Sequence, residues 1–80
     1  MGSARIGPTP NPNALKVTVD RVLVEKPMTF SSPGGHPLAD ALLAIPGVVS
    51  VFMLKNYATI TKSPEADWDA IEPGIEEAFR

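Results

Sequence analysis

The residues with the widest chemical repertoire in this chain are few and poorly grouped. His36 is the only histidine, and there is no cysteine. One imidazole supplies one metal ligand or one general base, and either chemistry needs partners. Ser31 and Ser32 stand near His36 in sequence, but no carboxylate is placed to orient the ring. A Ser–His nucleophilic pair is therefore disfavoured against an exposed residue at a helix start. Gly34-Gly35 could cradle an anion on backbone N–H groups. The flanking residues match neither the P-loop nor the dinucleotide pattern, which favours a plain flexible loop. Six of the nine acidic residues fall between Glu65 and Glu77. Carboxylates so spaced could hold a hard cation weakly. Asp69, Glu72 and Glu76 share one helix face, and a solvated face is the stronger reading. The residues predict no catalytic group, no cofactor site and no metal site, hence a chain that is not an enzyme.

Composition sets the bounds. Eighty residues make one domain. A chain of this length buries only about 60–65% of its unfolded surface, so its stability margin is thin. The absence of cysteine excludes disulfides and thiolate sites and fits a reducing compartment, so a cytoplasmic location is expected. A formal charge of −2 argues against general affinity for nucleic acid or anionic lipid. No apolar run approaches the ~20 residues of a membrane span, and no signal-peptide core opens the chain.

The elements that must position any site follow from periodicity. Residues 1–8 lack pattern and read as a loose tail or cloning remnant. Thr9-Pro10-Asn11-Pro12-Asn13 is a stiff lead-in whose Asn side chains can close a turn. Leu15, Val17 and Val19 alternate with Lys16, Thr18 and Asp20, which predicts a strand with one buried face. Residues 27–32 predict a second strand, paired antiparallel with the first. His36-Pro37 opens a helix in which Leu38, Ala41, Leu42 and Ile45 share a face, and Pro46-Gly47 ends it. Val48 to Leu54 is apolar on both faces and is expected to be covered on both. Lys55-Asn56 is the turn into a last strand, Tyr57 to Lys62. Asp67 is placed to cap a second helix with an apolar stripe at Trp68, Ile71, Ile75 and Phe79. Pro73 is expected to kink that helix or loosen its start. Phe52 and Trp68 are both expected in the core. The whole predicts an α+β two-layer sandwich in the order ββαββα, with two helices on one face of a four-stranded, mainly antiparallel sheet.

Several segments together carry a resemblance. They are Thr9-Pro10-Asn11-Pro12-Asn13-Ala14-Leu15-Lys16, Pro37-Leu38-Ala39, Ile45-Pro46-Gly47-Val48-Val49-Ser50-Val51-Phe52, Thr59-Ile60-Thr61-Lys62 and Asp67-Trp68 with Ile71-Glu72-Pro73. In this order, over residues 9–80, they resemble the N-terminal domain of the Nfu/NifU-like iron–sulfur scaffold proteins. In that family a separate Cys-x-x-Cys domain carries the cluster. The resemblance implies the family's fold and a role around cluster assembly or delivery, without cluster ligation. Two departures are His36, where Ser usually precedes Pro-Leu-Ala, and the Lys55-Asn56 turn, which is usually acidic or Gly-containing.

The expected function is a protein-binding accessory module, monomeric or weakly dimeric. By resemblance its partners are iron–sulfur maturation proteins or their apo-targets. Candidate partner residues are Thr9, Asn11, Asn13, Lys55, Asn56 and Lys62. An extended partner segment would add to an outer strand, with the lysines favouring an acidic partner. An uncovered apolar sheet face is a further candidate. The alternatives are an accessory protein that binds a small molecule or divalent metal through His36 and the acidic helix, or a purely structural domain of a longer scaffold.

Overall fold

A computed structural model describes residues 4–79. The chain runs β1 (Arg5–Pro8), β2 (Ala14–Thr18), β3 (Val24–Phe30), α1 (Pro37–Leu43), β4 (Val48–Lys55), β5 (Tyr57–Lys62) and α2 (Trp68–Ala78). The strands form one sheet in the order β1-β2-β5-β4-β3, antiparallel at every pairing. The α+β two-layer architecture is as expected, but the sheet has five strands, not four. The additional strand comes from the segment read as a loose tail: Ile6 lies opposite Val17 and packs against the core, while Arg5 and Gly7 face the other way. Met1 to Ser3, included in that tail, lie outside the described residues.

The pairing of the first two predicted strands is also corrected. β3 pairs with β4, and β2 lies between β1 and β5. The link between β2 and β3 explains this. Val19 N–H donates to the Asn56 carbonyl at 2.8 Å and Leu23 N–H to the Lys55 carbonyl at 2.6 Å. The chain thus crosses the tip of the β4–β5 hairpin and descends on the far side of β4. β3 begins at Val24 rather than residue 27 and carries a register shift before Met28.

Both helices cover the sheet face that bears Val17, Val51, Met53, Ala58 and Ile60, and Leu42, Ile71, Ile75 and Phe79 close the core. In α1 the small inward residue is Ala39, fully buried, whereas Ala41 is exposed. Phe52, expected in the core, lies half-buried on the opposite face, 6.3 Å from the Tyr57 ring. Val51 and Met53 take the inward positions, so strand alternation sends Phe52 outward. Among the described residues no second layer covers that face, and Val49 at the β4 bulge is 47% exposed. Trp68 is half-buried at the rim of the core rather than inside it.

Local chemistry sets the helix ends. His36 Nδ1 accepts from Leu38 N–H at 3.2 Å, so the imidazole replaces the usual hydroxyl cap. Asp67 Oδ1 accepts from Asp69 N–H at 3.0 Å. α2 runs through Pro73 without interruption of the helix. The missing proline N–H forfeits only the bond to the Asp69 carbonyl, within the first turns.

Candidate functional site

The segment ahead of β2 is not a free lead-in but the loop of the β1–β2 hairpin. Thr9 Oγ1 donates within reach of the Asn11 and Ala14 carbonyls, at 2.9 and 3.0 Å, and accepts from Asn11 N–H at 3.1 Å. Asn11 Oδ1 accepts from Asn13 N–H at 2.9 Å, an Asx turn. The loop then docks onto the end of β5. Lys62 N–H donates to the Asn13 carbonyl at 2.8 Å. The Lys62 ammonium donates to Asn13 Oδ1 at 3.0 Å and to the Ser63 carbonyl at 3.3 Å, and lies 5.7 Å from the Trp68 ring centroid. Trp68 Nε1–H donates to the Pro12 carbonyl at 3.0 Å. Lys62 is only 8% exposed. Its buried charge is thus held by two acceptors and an aromatic face, as a buried ammonium requires.

Lys55 and Asn56 lie at the other end of β5, a strand length of roughly 20 Å away. Lys55 has φ +55°, an uncommon conformation for a residue with a side chain. Asn56 Nδ2 donates to the Val19 carbonyl at 3.2 Å, adding to the clamp on the β2–β3 link. The structure therefore brings Thr9, Asn11, Asn13 and Lys62 together and sets Lys55 and Asn56 apart. Asn11, Lys55 and Asn56 are exposed; Thr9 and Asn13 are half-buried. Neither β2 nor β5 is an outer strand, so strand addition is open only at β1 and β3.

Removing the Asn13 acceptor tests this junction. Asn13→Ala leaves the Lys62 ammonium with one fewer partner in a buried site. The expected loss is about 1.5–3 kcal/mol, the scale of a hydrogen bond to a charged group. Urea unfolding measures it, and Lys62→Met in the same background should recover part of the loss. An unchanged midpoint in Asn13→Ala would show that the bond adds nothing to stability.

The other candidates have local roles. Gly34 N–H donates to Asp40 Oδ1 at 2.7 Å, so a carboxylate of the chain already occupies the diglycine loop. His36 serves as a cap, with its ring 6.0 Å from that of Phe30. Among the described residues no group of three His, Cys, Asp or Glu side chains could hold a metal ion. Among them, too, no helix is long and apolar enough to cross a membrane.

One surface feature escaped sequence reasoning. On the uncovered face, Gly7 lies opposite Lys16 and Arg5 opposite Thr18. These residues, with Ile6 and Pro8, line a shallow depression of about 230 Å³ along the β1 edge. The Lys16 ammonium sits 4.5 Å over the Tyr57 ring. The signal available was the alternation Arg5-Ile6-Gly7, which is too short to stand out beside Pro8.

These features define a small two-layer α+β domain whose loops are closed by their own hydrogen bonds. The chain belongs to the family described as scaffold protein Nfu/NifU N-terminal, whose model matches residues 4–80. It is 37% identical over 78 residues to conserved virulence factor C of Staphylococcus aureus strain bovine RF122, covering 94% of this chain and 21% of that protein. It is 40% identical over 72 residues to the human mitochondrial NFU1 iron–sulfur cluster scaffold homolog, covering 84% of this chain and 28% of that protein. The chain thus spans under a third of the length of either relative. The crystal structure of protein SAV1430 from Staphylococcus aureus superposes with a TM-score of 0.86 at 24% identity, covering 95% of both chains. The solution structure of SeR13 from Staphylococcus epidermidis gives 0.66 at 29% identity, covering 94% of this chain and 91% of that one.

Proposed function

We propose that this domain is a non-catalytic protein-binding module of iron–sulfur cluster assembly or delivery, and that these 80 residues do not ligate the cluster. The observation that carries the reading is the family match over residues 4–80 in a sequence with no cysteine and one histidine. Clusters are held by cysteine thiolates, with histidine replacing some of them. His36, the one candidate ligand, is engaged as a helix cap. The name of the human relative, an iron–sulfur cluster scaffold homolog, supplies the pathway context. Iron–sulfur maturation proteins and apo-targets are the proposed partners, met by a cytoplasmic domain that is monomeric or weakly dimeric. Of the sequence candidates, the exposed Asn11, Lys55 and Asn56 are better placed for contact than Lys62.

Two measurements test the two halves of this reading. Anaerobic reconstitution with iron and sulfide is expected to leave the purified chain without visible cluster absorption. A stable, stoichiometric cluster on the monomer would overturn the non-ligating role. Affinity capture with the folded domain is expected to recover an iron–sulfur maturation protein or an apo-target. Recovery of none, from lysates that contain them, would overturn the binding role.

A further inference from the structure

We infer that the outer edge of β1, with the depression beside it, is a docking site for an extended, acidic segment of a partner protein. The inference rests on the binding-module reading above and gives it a location and a partner chemistry.

The sheet has two outer strands, and they differ in how open they are. β3 carries Pro27, which has no N–H to donate, and a register shift before Met28. Proline, irregularity and charge are the usual means of blocking an edge, and β3 has all three, with Glu25 and Lys26 beside Pro27. β1 also carries a charge, Arg5, and a proline, but Pro8 is its last residue and the strand is regular, with four consecutive pairs to β2. Among the described residues its opposite edge faces no other strand. A partner segment laid there would continue the ladder at the ordinary spacing of about 4.8 Å.

The side chains around that edge select the chemistry. A residue of the added strand that faces the uncovered side must cross β1 to reach Lys16 on β2. At the crossing point stands Gly7, directly opposite Lys16. A Cβ built on Gly7 meets nothing within 4 Å, so the lane between the edge and Lys16 is open. Arg5 flanks the lane on β1, two residues away on the same face. Among the described residues neither cation has a carboxylate partner; Lys16 has only the Tyr57 ring. Asp20 borders an adjoining depression with Arg5, Thr18 and Val19. A glutamate or aspartate over Gly7 would receive charge-assisted hydrogen bonds from Arg5 and Lys16. The backbone ladder would supply sequence-independent affinity, and the two cations would supply the preference for acid.

The probe is a capped octapeptide of alternating Thr and Glu, titrated into the 15N-labelled chain at low salt. The expected result is amide shifts centred on Ile6, Gly7 and Lys16. Replacing every Glu by Gln should weaken binding by about tenfold or more, the scale of one charge-assisted hydrogen bond. Gly7→Leu fills the lane and should weaken it comparably. Gly7 has no strained backbone and open space around it, so this variant should fold. Lys16→Gln, at an exposed position, is the second variant and should also weaken binding, whereas Asp20→Asn should strengthen it. The inference is overturned by the absence of binding, by shifts centred on β3 or the helices, or by unchanged affinity in both Gly7→Leu and Lys16→Gln. The same shifts produced by inorganic phosphate alone would reveal a simple anion site and overturn strand addition. The same shifts produced by raising the protein concentration without peptide would make a second copy the occupant and also overturn it. The probe carries no cluster and comes from no iron–sulfur protein. Its failure therefore leaves the pathway reading to the reconstitution and capture experiments.

Discussion

Leu42→Ala is expected to lower the unfolding free energy by about 2–5 kcal/mol, the range for truncating a fully buried leucine. Leu42 has no exposed surface and lies in the cluster that joins α1 to the sheet and to α2. Its loss removes transfer free energy and leaves a cavity that the rest of the core cluster can fill only in part. A domain of this size has roughly 4–12 kcal/mol of total stability, so the variant should be substantially destabilised near body temperature. Phe52→Ala is the comparison. The aromatic is larger, but it is half-buried on the uncovered face against Tyr57, so its expected cost is only about 1–2 kcal/mol. Urea unfolding of both variants, with unchanged m-values, decides the matter. If Phe52→Ala costs as much as Leu42→Ala, the outer face of the sheet is covered in solution.

Gly47→Ala should be nearly as damaging although it adds one methyl group. Gly47 ends the first helical connection with φ +98°, outside the range that residues with side chains adopt readily. A Cβ there would stand 2.7 Å from Ala66 Cβ and 3.2 Å from Ile71 Cδ1. The Ala66 contact cannot be relieved by rotating a side chain, so backbone must move. That movement disturbs the Ser63 N–H bond to the Gly47 carbonyl at 2.8 Å, which joins this turn to the end of β5. The conformational penalty is about 1–2 kcal/mol and overpacking adds about 1–3. Gly34→Ala separates the two terms. Gly34 has φ +115°, but a Cβ there meets nothing within 4 Å. It should carry the conformational penalty alone. Thermal unfolding of the pair is expected to place Gly47→Ala well below Gly34→Ala. Equal midpoints would show that the Ala66 contact relaxes without cost.

The candidate site was legible in sequence only in pieces. The Asn residues of the Thr9–Asn13 segment read correctly as turn-formers, because an Asx turn needs only residues two apart. The role of Lys62 was hidden, since its acceptor on Asn13 lies 49 residues away and a lysine ordinarily reads as exposed. Lys55 and Asn56 read correctly as a turn, but nothing local indicates that the Val19–Leu23 link lies across it. Arg5 and Lys16 become neighbours only once β1 pairs with β2.

What the sequence determined by itself is the set of features that depend on residues within about one turn of one another. His36 and Asp67 cap their helices because a side-chain acceptor two residues before a free N–H suffices. Gly47 takes the left-handed turn position just before β4, and alternation from Leu15 to Val19 makes a strand with Val17 inward. The stripe at Ile71, Ile75 and Phe79 finds the core across Pro73, because 3.6-residue periodicity survives the loss of one hydrogen bond. Tertiary structure decided the strand order, the partner of β3, the recruitment of β1 and the outward turn of Phe52. Each depends on pairing segments far apart in the chain, where periodicity shows that a face will be buried but not by which neighbour. For Val48 to Leu54, apolar on both faces, local pattern left the two faces equivalent. Only the packing of both helices onto Val51 and Met53 chose between them.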